Sequence, residues 1–270
     1  DGLPPPVSAL RRRLELAQLV LKLLDSQPDL APRAAAFELA DALSRLIDEM
    51  HEEGVSPQAL MQQDVGALSD HWQRSLQVLS IVTRYFGAGD DPGGETPAAR
   101  LDREVRRMIA GWEVAPPEGP VLVAGSTGSR GTTFRLMQAV ARLPQGALVL
   151  PGYDAGQPET VWRRLIEDGT EEHPQYRFAR LLEALEIGPE AVRHWTGGSG
   201  ETVRGRLVSL ALRPAPVSDQ WVVEGPALGD LAPATRGLTL IEAPDPHAEA
   251  LAIATAARAA VHRGEVVAVV

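Results

Sequence analysis

Val121-Leu122-Val123-Ala124-Gly125-Ser126-Thr127-Gly128-Ser129-Arg130-Gly131-Thr132-Thr133 is the stretch whose reading decides the fold. Four apolar residues lead into glycines at every third position, and an amphipathic run begins at Phe134. A buried strand, a tight turn and a helix N-terminus have this pattern, and α/β proteins bind phosphates at that place. The spacing predicts a strand over 121–124, a helix over 132–143 and a second strand over 147–150. Such a unit implies parallel pairing through a right-handed crossover. The expected class is therefore α/β, a parallel sheet with flanking helices.

Toward the C-terminus, helices are predicted over 158–166, 175–185, 189–195 and 203–212, with a glycine loop at 197–200. Residues 238–242, 247–262 and 266–270 read as another strand–helix–strand unit. Toward the N-terminus, residues 7–113 read as almost entirely helical. Leu10, Leu14, Ala17, Leu21 and Leu24 recur at helical spacing. Pro32 opens a second helix, with Phe37, Leu39, Leu43, Leu46, Ile47 and Met50, that stops at Gly54. Ser56-Pro57 starts a third, and Trp72, Leu76, Leu79, Ile81 and Tyr85 stripe a fourth before an acidic loop at 87–94. A last helix, roughly 97–112, carries Arg100, Arg103, Arg106 and Arg107 on its polar side. That face fits a solvated surface or a contact with DNA or a partner. The proline-rich linker at 115–120 separates two compositions, so three parts are expected: 1–114, 115–236 and 237–270.

The hydrophobic fraction of 44% and charged fraction of 23% are those of a soluble globular protein. No window approaches the 18 uninterrupted apolar residues of a membrane span, and the first residues lack the pattern of a secretion signal. The cytoplasm is the expected location. With no cysteine, disulfides, thiolate zinc sites and cysteine nucleophiles are excluded for this chain. The net charge of −10 argues against coating nucleic acid over a whole face, though a local basic track remains compatible. Lys22 is the only lysine, a bias that a GC-rich coding sequence would produce. The chain lacks an initiator Met and ends in the apolar run Val266-Val267-Ala268-Val269-Val270, which suits the middle of a sheet. The expectation is an excerpt from a longer protein.

The glycine loop departs from the known phosphate motifs. A Walker A loop needs Lys and then Ser/Thr after its last glycine, but Gly131 is followed by Thr132 and Thr133. The Gly125-x-x-Gly128-x-x-Gly131 spacing also differs from a dinucleotide fingerprint. Three uses stay open: a purely structural turn, an anion held by the amides of Gly128 to Thr133 with Arg130 nearby, and an active nucleotidase. Asp48, Glu49, His51, Glu52 and Glu53 are the densest run of possible metal ligands, but their spread around a helix fits a solvated helix end better. No serine-hydrolase elbow is present. Helix capping accounts for Glu172-His173-Pro174-Gln175-Tyr176-Arg177. Asp219-Gln220-Trp221 reads as an aromatic docking point, or a stacking platform for an unpaired base.

Taken in order, five segments resemble one family. They are residues 4–14, the stretch 121–131, His173-Pro174-Gln175-Tyr176, Arg206-Leu207-Val208-Ser209-Leu210-Ala211-Leu212-Arg213-Pro214 and Leu240-Ile241-Glu242-Ala243-Pro244. The chain resembles, over essentially its whole length, the AddB family. AddB proteins are the second subunits of AddAB helicase–nucleases in double-strand-break repair, here of the alphaproteobacterial type.

The resemblance implies a superfamily-1 helicase-like lobe carrying a large helical subdomain, with a second lobe beginning near residue 237. It implies an AddA-type partner subunit, and DNA as double-stranded ends and single strand. ATP and magnesium would be cofactors of the parent protein, not of this stretch, and the nuclease domain would lie outside it. Where helicases carry the Walker B carboxylate that holds magnesium, this sequence has Ala124. The implication is a helicase-like half that no longer works as a motor. It would contact DNA and scan for a recombination hotspot while the partner translocates. No catalytic or metal-binding residue is carried over. The competing expectations are an α/β enzyme or binding protein that uses Gly125, Gly128, Arg130, Gly131, Thr132 and Thr133 for a nucleotide or dinucleotide phosphate, and a plain protein-interaction module.

Overall fold

The computed structural model describes residues 7–56, 96–195 and 202–270. The helices expected within 57–95 and the loops at 87–94 and 197–200 lie outside those residues. By packing, the chain divides into two units, residues 1–198 and 199–270. The compositional break at 115–120 falls inside the first.

Helix α1 (Ala9–Ser26) begins where the Ser8 hydroxyl accepts the Arg11 N–H at 3.3 Å, a standard N-cap. Helix α2 (Ala36–Glu53) ends at Gly54, which takes a left-handed φ of 72°. Their apolar stripes face each other. Leu16, Ala17, Val20 and Leu24 pack against Ala36, Ala40, Leu43, Ile47 and Met50. Arg12 is buried at the end of this seam and donates to Asp48 at 2.7 Å and to the Ser44 carbonyl at 2.9 Å. A buried guanidinium is tolerated only with such partners.

Helix α3 (Pro97–Val114) is capped by the buried Thr96 and has proline at its first position. Strand β1 (Val121–Ala124), helix α4 (Gly131–Arg142) and strand β2 (Gly146–Val149) form the expected unit. The strands pair in parallel, Val121 with Gly146 through Ala124 with Val149. Alternate side chains, Leu122 and Ala124 on β1 and Ala147 on β2, remain exposed. Helix α5 (Glu159–Glu167) and helix α6 (Tyr176–Leu185) pack through Trp162, Leu165, Tyr176, Phe178 and Ala179. Leu150 and Tyr153, just after β2, join this cluster, and Tyr153 stacks on Trp162 at 4.9 Å. The helix expected over 189–195 is only one 3-10 turn, Pro189–Ala191.

In the second unit, α7 (Val203–Ala211), α8 (Gln220–Glu224) and α9 (Ala232–Thr235) pack together. Trp221 donates to the Leu210 carbonyl at 2.7 Å, and Arg204 to the Ala234 carbonyl at 2.7 Å. Helix α10 (Pro246–His262) is capped by Asp245 but buries none of its residues. The strands expected over 238–242 and 266–270 are not formed, so β1 and β2 are the only strands among the described residues. A strand exists only with a hydrogen-bonded neighbour, and these apolar segments have none: Leu240 is 85% exposed. The fold is thus predominantly helical, with one small parallel sheet.

Truncating either seam feature of the α1–α2 hairpin should be costly. Leu16→Ala, at a fully buried position, should lose about 2–5 kcal/mol. Asp48→Ala should lose about 1–3 kcal/mol, because the buried Arg12 then keeps only the Ser44 carbonyl of these two partners. Denaturant titration of each variant against the parent chain measures both.

Candidate functional site

The turn after β1 is built from its glycines. Gly125 and Gly128 adopt left-handed φ values of 77° and 67°, which glycine reaches without strain. Gly125 N–H donates to the Val149 carbonyl at 3.2 Å, so the turn leaves the sheet still tied to β2. Gly128 N–H donates to the Ser126 hydroxyl at 3.2 Å. Gly131 then starts α4, buried with Thr132, while Thr133 is half-buried.

Gly131 has a different reason to be glycine. A Cβ there would lie 2.4 Å from the Glu52 carbonyl oxygen and 2.8 Å from the Glu53 Cα. The C-terminus of α2 is pressed against the N-terminus of α4. Gly131 N–H donates to Glu53 Oε1 at 2.9 Å, Arg130 Nη1 to Glu52 Oε1 at 3.1 Å, and Arg135 Nη2 to the Glu52 carbonyl at 3.0 Å. The negative end of one helix dipole thus meets the positive end of another. The anion that a helix N-terminus favours is present, and the protein's own Glu53 supplies it.

Asp102 of α3 closes the junction. It accepts from Arg106 Nε at 2.7 Å, from Thr132 Oγ1 at 3.1 Å and from Arg135. Burial alone would raise its pKa, but those three hydrogen bonds and the Arg135 charge outweigh burial and hold the carboxyl below its ordinary value of 3.8.

The expected site residues therefore converge only in part. Arg106, from the α3 arginine face, reaches the same junction as Arg130, Gly131 and Thr132 through Asp102. Arg103 lies exposed beside Glu104 at 3.5 Å, Arg107 is exposed and Arg100 is half-buried. The Gly131 amide at the start of α4 is taken by Glu53, so an outside phosphate would have to compete with that carboxylate there. Of the Asp48–Glu53 run read as a solvated helix end, Glu49 and Glu53 are exposed, while Asp48 also holds Arg12 and Glu52 and Glu53 reach the start of α4. No cluster of three or more metal-ligating side chains occurs among the described residues.

At the strand ends where α/β proteins place their chemistry, β1 stops at Ala124, whose methyl can neither hold a metal nor move a proton. After β2 comes Asp154, which the sequence reading did not single out; its Oδ1 accepts the Gly156 N–H at 3.1 Å. Gln175 is buried and binds this loop twice, donating to the Gly152 carbonyl at 2.9 Å and accepting the Asp154 N–H at 3.0 Å. Capping was the expected role of this segment, yet the Gln175 side chain caps nothing. It fixes the loop instead. The hydroxyl of Tyr153, in the same loop, donates to the Pro189 carbonyl at 2.9 Å. Burial and the charges of Glu190 and Asp154 push its pKa far above the usual value, so it stays protonated near neutrality. Asp102 also escaped the sequence reading, because its partners lie some thirty residues away; only its i,i+4 spacing to Arg106 was a signal.

Gly131→Ala should destabilise the chain by about 1–3 kcal/mol, since the added methyl meets backbone. Gly119→Ala, which meets nothing within 4 Å, should change stability by less than about 0.5 kcal/mol. Thermal melts of the two variants make the comparison. Asp102 stabilises the fold above its ordinary pKa and loses that contribution as pH falls through its depressed folded value. The stability gap between the parent chain and Asp102→Asn should be full at pH 6 to 7 and shrink below 3.8, as read by denaturation at a series of pH values.

Comparison of the chain with protein-family models, with curated proteins and with solved structures finds no match.

Proposed function

We propose that this chain is a non-catalytic, helicase-like region of an AddB-type subunit, a DNA-binding scaffold within a helicase–nuclease that processes double-strand breaks for recombinational repair. One observation supports the non-catalytic reading: a β1–turn–α4 unit of nucleotide-binding form ends its strand on Ala124 and has the first amide of its helix taken by Glu53. A working nucleotide site needs the reverse, a carboxylate for magnesium and free amides for phosphate. The family segments in the sequence supply the rest of the reading: an AddA-type partner subunit, DNA ends and single strand as ligands, and a cytoplasmic location. No helix among the described residues is long and apolar enough to cross a membrane. ATP and magnesium belong to the parent assembly in this reading. The reading assigns the DNA contact to two exposed arginines of α3, Arg107 and Arg103, the latter beside Glu104.

A second reading, a phosphate-bearing nucleotide on the Gly125–Thr133 turn, draws on the anion preference of the α4 terminus. It requires the nucleotide to displace Glu53.

Fluorescence titration of a tailed duplex against the chain tests the proposal. Arg103→Ala with Arg107→Ala should weaken binding and lower the slope of log affinity against log salt by about 2. Binding unchanged in the double variant removes the assigned DNA contact. Tight ATP–magnesium binding with turnover, insensitive to Ala124→Asp, would overturn the non-catalytic reading.

A further inference from the structure

Among the described residues, the apolar core of the α1–α2 hairpin is built from the hairpin itself, although α2 also packs along α3. Its buried members run from Leu16 to Met50, and the hydrophobic residues packed on it all belong to the same hairpin and its connection. None comes from α3 or α4. Where α2 does meet α4, the bonds are polar: Glu53 to the Gly131 amide, Glu52 to Arg130, and the Glu52 carbonyl to Arg135 and, at 3.4 Å, to Thr132. Arg130 is 69% exposed, so salt reaches its ion pair. An apolar core and an ionic joint respond oppositely to salt, which screens charge and does not weaken burial.

We propose that Glu52 and Glu53 form an electrostatic latch, and that salt releases the α1–α2 hairpin from the start of α4 as a folded piece. Release bares the Gly131 amide of α4 and frees Arg130, while Arg135 keeps its bond to Asp102. The latch goes beyond the DNA-scaffold reading and needs no DNA to operate. Its closed state depends on Gly131, the one residue that lets the two helix ends approach so closely.

Hydrogen exchange read by mass spectrometry on the intact chain tests this. Between about 0.05 M and about 1 M sodium chloride, peptides covering residues 128–133 should exchange roughly tenfold faster, as for loss of a capping carboxylate. Peptides covering the buried stretch of α1 and α2 should keep their protection. The E52Q/E53Q variant should show the faster exchange at low salt already, with no further response to salt. Charge-conserving E52D/E53D, if folded, should retain a salt response. Exchange at 128–133 that ignores both salt and E52Q/E53Q would overturn the latch. So would loss of hairpin protection in step with it, because that is unfolding and not release.

Discussion

The contact that the rest of the first unit depends on is the meeting of two helix ends at Gly131. The start of α4 carries unsatisfied N–H groups and a partial positive charge; the end of α2 carries the opposite. Glu53 on the Gly131 amide, Glu52 on Arg130 and Asp102 beneath Arg135 satisfy both at once. Three separated pieces of sequence, around residues 52, 102 and 131, are thereby fixed at one point. The β1–α4–β2 unit is anchored there to helices whose own core is built elsewhere.

This contact also decides what the turn can do chemically. A strand, a turn with two left-handed glycines and a helix N-terminus make the frame in which many α/β proteins hold phosphate. Here the frame is internally neutralised. The Glu53 carboxylate takes the first amide of the helix, and strand β1 ends on the methyl group of Ala124. Arg106 pairs with Asp102 while itself remaining exposed, as do Arg103 and Arg107 on the same helix.

The second unit shows how sequence pattern and structure can separate. The runs at 238–242 and 266–270 have the composition of buried strands, and α10 between them is rich in apolar residues. All three lie exposed. Apolar composition states a preference for burial; only neighbouring backbone and side chains can satisfy it. Trp221, by contrast, reads from sequence as a docking aromatic, and within its own unit it bonds the Leu210 carbonyl.

Local order was legible in the sequence because local forces set it. The stop at Gly54, the α1 and α2 stripes and the β1–turn–α4 run all follow from nearest-neighbour sterics and apolar period. The α/β character of the middle of the chain was determined at that level. What Gly131, Glu53, Asp102 and Gln175 do was not, because each acts on a partner far away in sequence. A glycine that admits a turn and a glycine that admits another helix are the same letter. Only the tertiary structure, by bringing the end of α2 within 2.4 Å of where a Cβ would stand, decided that the third glycine serves packing and that the protein fills its own anion site.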